Sequence, residues 1–113
     1  MGRHEATVRY QHMLDNARKA RTLARGKTRE DLDNAWVDTL ALVRLLEVIG
    51  EAANRVPNEE QRRHPEIPWS QIIGLRNRLI HGYDSIDLDI LWQILSEDLV
   101  PLIASLEAIV PDR

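Results

Sequence analysis

The residues of this 113-residue chain that could do chemistry crowd into one short segment, Gly74 to Ser85, which reads GLRNRLIHGYDS. Arg76, His81 and Tyr83 stand there in the order Arg, four residues, His, one residue, Tyr. A guanidinium offers a planar fork for phosphate oxygens and stabilises charge that grows on them. An imidazole accepts and returns a proton near neutral pH. A phenol is a hydroxyl that can be modified. Each residue alone has a plainer reading: a solvated ion pair for Arg76, pairing with a helix's negative end for His81, a half-buried loop aromatic for Tyr83. Together their types suit phosphoryl chemistry.

Helical geometry adds a condition. Residues five apart on a helix lie about 140° apart around the axis and roughly 7.5 Å along it. Arg76 and His81 then point different ways, whereas Asn77 and His81, four apart, share a face. One chain would supply half a site, and a two-fold dimer packed through this helix would bring two Arg–His sets together. Arg78, about 200° from Arg76, is the weaker phosphate ligand. Glu47 has two readings. With Arg44 and Glu51 it falls at helical spacing, which suits a surface ion pair; alternatively its carboxylate orients Arg76 or lines the cleft.

The elements that position these residues read as helices. Strand signals are nearly absent: there is no Phe and no Asn-Gly hairpin. Helix one is expected over 5–25, ending before Gly26. Helix two runs from about 31–34 to 55, with Leu42, Leu46, Ile49, Ala53 and Val56 on one stripe and Trp36, Leu40 and Val43 on a second, so more than one face is buried. Pro57 stops it. Residues 58–64 suit a short helix capped by Asn58. Pro68 opens helix three, which carries Trp69, Ile72, Leu75 and Leu79 and ends at Gly82 just after His81. Ser85 or Asp87 caps helix four, whose apolar register passes through Pro101, so that proline kinks the helix without ending it. The expectation is one all-α domain over 1–113, an antiparallel bundle of four to five helices.

Bulk properties narrow the function. Cysteine is absent, which excludes disulfides, zinc–thiolate sites and thiol catalysis and suits the cytoplasm. Met1 to Tyr10 has no apolar core, so no secretory signal is expected, and no apolar run is long enough for a membrane span. His4, His12 and His64 show no metal spacing, so no metal is expected, and no Gly-rich phosphate loop, dinucleotide fingerprint or serine-hydrolase elbow appears. Net charge is −3, which argues against a general nucleic-acid binder. The charge is unevenly spread: residues 1–29 hold eight Lys/Arg against two acids, and the remainder seven against sixteen. The basic first segment either docks on an acidic body or partner, or tracks phosphates beside the Arg76–His81 site.

Longer stretches carry a resemblance. Ile67 to Tyr83, IPWSQIIGLRNRLIHGY, looks like the signature of HepT-type proteins of the HEPN superfamily, whose core motif is Arg, four to six residues, His. Leu46 to Asn54, LEVIGEAAN, resembles that family's second-helix motif, and Ile86 to Leu95, with the segment from Asp98 to Leu102, resembles its last helix. The resemblance implies a dimerising all-α bundle with a metal-independent ribonuclease site at the dimer interface. Arg76 and His81 would be catalytic and Asn77 supporting. HepT proteins resemble toxins of type VII-like toxin–antitoxin pairs. The implied partner is a minimal nucleotidyltransferase (MNT) antitoxin that attaches AMP to the motif tyrosine, here Tyr83. RNA is then the substrate, and DNA, lacking the 2′-hydroxyl nucleophile, is not; no cofactor is implied. The alternative is a non-catalytic HEPN module that docks such a nucleotidyltransferase.

Overall fold

The computed structural model describes residues 3–111, and they form an all-α bundle. Helix α1 spans Arg3–Ala24 and ends at Gly26, whose φ of 79° is the left-handed conformation that glycine adopts without strain. The Lys27 ammonium donates to the Leu23 carbonyl at 3.0 Å, which satisfies one orphan acceptor of the helix end. Thr28 and Asp31 then exchange side-chain and backbone bonds and start the next helix.

The expected second helix is broken. Helix α2 (Asp31–Asn34) and helix α3 (Trp36–Asn54) are separated by Ala35, whose ψ of 68° is not helical. The Thr39 hydroxyl donates to the Leu32 carbonyl at 2.9 Å across the break, so this buried acceptor has a partner. The two apolar stripes also differ from expectation. Leu42, Leu46, Ile49, Ala53 and Val56 are buried as anticipated, but of the second stripe only Val43 is; Trp36 is 68% exposed and Leu40 51%. Nothing in the described chain covers that flank of α3.

Helix α4 (Asn58–Arg62) is shorter than expected, and Pro57, not Asn58, takes the capping position; Asn58 is its first helical residue. Gly74 divides the third helix into α5 (Trp69–Ile73) and α6 (Leu75–Leu79). A tight hairpin follows, β1 (Ile80–His81) paired antiparallel with β2 (Ser85–Ile86). Asp87 caps helix α7 (Leu88–Gln93), accepting from the Ile90 N–H at 3.0 Å. A π turn, Ile94–Asp98, leads straight into α8 (Leu99–Ile109), with the Leu99 N–H bonded to the Ile94 carbonyl. The widened turn contains Glu97, the residue four before Pro101 whose carbonyl a proline ring would crowd. The helix therefore continues, and its buried stripe includes Ile94 as well as Leu91, Leu95, Leu99, Leu102 and Leu106.

One contiguous core joins these elements. Tyr10 and Met13 of α1 meet Leu42, Leu46 and Ile49 of α3, Leu79 of α6, and Leu91, Leu99 and Leu106 of the last helices. Helix α1 lies along α3 and against α8, and α3 packs on α5 and α6. Gly50 lets α3 and α5 approach closely: a Cβ there would sit 2.8 Å from the Ile72 carbonyl oxygen. No helix among the described residues is long and apolar enough to cross a membrane.

Candidate functional site

Arg76 and Glu47 meet where α6 follows on from α5, which packs closely on α3 at Gly50. Arg76 is exposed on the first turn of α6, at 71%, and Glu47 is 18% exposed on α3; Nε and Oε2 are 3.5 Å apart. Of the two readings of Glu47, this is the cleft carboxylate. Arg44 pairs instead with Glu51, at 3.1 Å. Glu47, Gly50 and Asn54 on one side and Ile73, Arg76 and Asn77 on the other line a shallow cleft of about 240 Å³. Arg78 points elsewhere and lines an apolar groove with Ile72, Leu99 and Pro101.

His81 is not in the helix. The last helical residue is Leu79, because Ile80 and His81 pair with Ile86 and Ser85. The helical offset between Arg76 and His81 therefore does not apply, and Asn77 and His81 do not share a helix face. His81 is exposed on β1, with Nε2 3.6 Å from Asp87 Oδ2. Asp87 is held doubly: its N–H donates to the Leu79 carbonyl at 2.8 Å, and its other carboxylate oxygen caps α7. The Ile90 N–H, and after it His81, hold the Asp87 carboxyl below the usual carboxylate range. Sequence reading offered Asp87 only as a helix cap. Its second role depends on the hairpin, which the helical pattern concealed.

Tyr83 occupies the hairpin tip. Gly82, with φ of 73°, turns the chain there, and Tyr83 is fully exposed. It neither caps the core nor stacks on Trp92, and its hydroxyl is open to an enzyme. No hydrogen bond or ion pair joins Arg76 to His81 among the described residues. The chain thus holds an arginine with one carboxylate, a histidine with another, and a free tyrosine two residues from that histidine. No group of three or more His, Asp or Glu side chains among the described residues is arranged to hold a metal ion; His64 pairs with Glu60 and Glu66.

Known proteins resemble this chain over most of its length. The profile described as "Ribonuclease HepT-like" matches residues 13–109. A Thermococcus cleftensis protein named "Probable ribonuclease HepT" is 45% identical over 62 residues, which are 55% of this chain and 56% of that protein. A Methanocaldococcus jannaschii protein named as a candidate RNase is 46% identical over 59 residues, 52% of this chain and 54% of its own. The match thus spans about half the length of these two relatives. A Caldanaerobacter subterraneus protein, also named as a candidate RNase, is 34% identical over 92 residues, 81% of this chain and 82% of the other. No solved structure matches the chain at a significant level. With the profile spanning all but the ends of the bundle and carrying the whole Arg76–Tyr83 segment, the chain belongs to the HepT-like ribonuclease family.

Proposed function

We propose that this protein is an endoribonuclease toxin that cleaves RNA by attack of the 2′-hydroxyl on the adjacent phosphorus, with Arg76 and His81 as catalytic residues. The observation that carries the reading is that each of these exposed side chains faces its own carboxylate, Glu47 or Asp87. The 2′-hydroxyl loses its proton as its oxygen bonds to phosphorus. The bond to the 5′-oxygen breaks, and that oxygen takes up a proton, leaving a 2′,3′-cyclic phosphate and a 5′-hydroxyl. His81 moves a proton at one of these oxygens. Arg76 holds the non-bridging oxygens as charge grows on them. Asn77 lines the same cleft and supports the bound phosphate, and Glu47 orients the guanidinium.

The working unit in this reading is a homodimer. Trp36, Leu40, Glu47 and Asn54 lie within about 40° of one line along α3, so the uncovered apolar flank leads directly to the Arg76 cleft. A second copy seated on that flank buries Trp36 and Leu40 and sets two Arg–His sets near one another. Each site then takes its Arg76 from one copy and its His81 from the other. An MNT-type nucleotidyltransferase antitoxin silences the site by transferring AMP to the exposed Tyr83 hydroxyl, which places a phosphate and a base two residues from His81 and repels RNA.

The test is cleavage of single-stranded RNA in EDTA by the wild type, Arg76→Ala and His81→Ala. Wild-type activity should survive chelation, and each variant should fall by about 10²–10⁴-fold while keeping its helical signal. Cleavage that needs added Mg²⁺, that persists in both variants, or that acts on an all-deoxy strand would overturn the mechanism.

A further inference from the structure

We propose that the cleft between α1 and the α7–π-turn segment, formed by Arg21, Arg25 and Trp92, is a single-stranded RNA subsite in which two guanidiniums hold phosphates and an indole stacks a base. Part of the basic segment's charge is held by the chain's own acids; exposed Lys19, Arg21 and Arg25 are not so held among the described residues, and of these Arg21 and Arg25 line a cleft. Arg18 pairs with Glu107 at 2.6 Å, Lys27 with Asp38 at 3.0 Å, and Arg29 with Asp33 at 3.2 Å and Asp89 at 2.8 Å. These charges are neutralised by the chain's own acids. Arg21 and Arg25, one helical turn apart, are exposed and have no acidic partner among the described residues. They flank a cleft of about 210 Å³ whose lining contains no carboxylate.

The rest of that lining suits a nucleobase. Trp92 is half-buried, and its indole makes no ring contact with another aromatic among the described residues. Leu95 forms an apolar floor, and the Ser96 hydroxyl donates to the Trp92 carbonyl at 2.7 Å, fixing the wall. A π-face beside unpaired guanidiniums is the chemistry that holds single strands without reading their sequence. An acidic peptide would use the cations and leave the indole idle.

Placement ties the cleft to the site. Asp87, the partner of His81, caps the start of α7, and Trp92 lies five residues on, roughly 7.5 Å along the axis. The Arg29–Asp89 pair clamps the basic segment to the turn between them. Five residues also turn about 140° around the axis, so a strand with its scissile phosphate at His81 wraps the start of α7 to reach Trp92. The ligand is the substrate of the proposed ribonuclease, so the inference rests on that reading for its cleavage arm; the binding arm stands without it.

The binding arm uses the full-length protein and a labelled 2′-O-methyl oligouridylate of about twelve nucleotides, which cannot be cleaved by 2′-attack. Fluorescence anisotropy should show affinity falling about ten-fold or more in Arg21→Glu/Arg25→Glu, with a shallower dependence on salt. Trp92→Ala should weaken binding by about five-fold or more with the salt slope unchanged, and Trp92→Phe, which keeps a stacking face and the packing, should retain most of it. In the cleavage arm the charge-reversed pair should raise KM on the long strand and leave cleavage of a dinucleotide unchanged. A wild type that binds the oligouridylate but cuts nothing would remove the ribonuclease reading and keep the subsite. Failure of the wild type to bind, or equal affinity in the charge-reversed pair, would overturn the subsite. Unchanged RNA affinity with lost affinity for polyglutamate would overturn it in favour of an acidic protein partner.

Discussion

Asp87 joins two tasks in one carboxylate: one oxygen caps α7 and the other faces His81. The tasks separate by substitution. Asp87→Asn keeps an acceptor for the Ile90 N–H and removes the charge. Its thermal midpoint should stay near wild type while RNA cleavage falls by roughly ten-fold, well short of the loss of the imidazole itself. Asp87→Ala should lower both. The folded-state pKa of Asp87 is depressed, so its stabilising contribution is complete above the ordinary aspartate value of about 4 and is lost as pH falls through the depressed value. The gap in thermal midpoint between wild type and Asp87→Ala should accordingly hold from neutral pH down to about 4 and close below it. Tyr83 gives a second test. With an MNT-type nucleotidyltransferase and ATP, intact mass should rise by AMP in the wild type and not in Tyr83→Phe, which stays folded and active. Arg76, His81 and Tyr83 stood out as candidates from type and spacing. Asp87's hold on His81 was not, because it depends on a hairpin bond between Leu79 and Asp87 that no local pattern announces.

At the scale of elements, Gly50 sets the gap across which Glu47 reaches Arg76. In Gly50→Ala the new methyl would meet backbone, the Ile72 carbonyl at 2.8 Å, which no rotamer change relieves. The variant should lose about 1–3 kcal/mol in urea unfolding, and cleavage should drop as α5 and α6 move off α3. The long helices were readable from their apolar periodicity, since Leu42, Leu46, Ile49, Leu91, Leu99 and Leu106 are buried as the spacing demands. The breaks were not. Gly82 was expected to end the helix just after His81, but it turns the hairpin instead: the helix stops at Leu79 because Ile80 and His81 find partners at Ile86 and Ser85. Ala35 breaks a helix although alanine is an excellent helix former. There the Thr39–Leu32 bond and the packing of Leu32 outweigh local preference.

At the scale of the whole molecule, the exposed Trp36 and Leu40 are the largest departure from the expected core, and Val37 beside them is exposed too. They were legible as apolar and helical, but periodicity cannot say whether a face is covered by the same chain or by another. Trp36→Asp/Leu40→Asp should leave the folded chain intact and shift sedimentation from dimer to monomer, with RNA cleavage lost at the same time. A wild type that sediments as a monomer at high concentration would remove the dimer. The separation of Arg76 with Glu47 from His81 with Asp87 then has a genetic consequence. Arg76→Ala and His81→Ala chains, each inert, should regain up to roughly a quarter of wild-type cleavage when refolded together. Random pairing puts about half of the chains in mixed dimers, and each mixed dimer holds one complete Arg–His set of two. Two harmless alleles brought into one cell would then restore toxicity that neither carries alone.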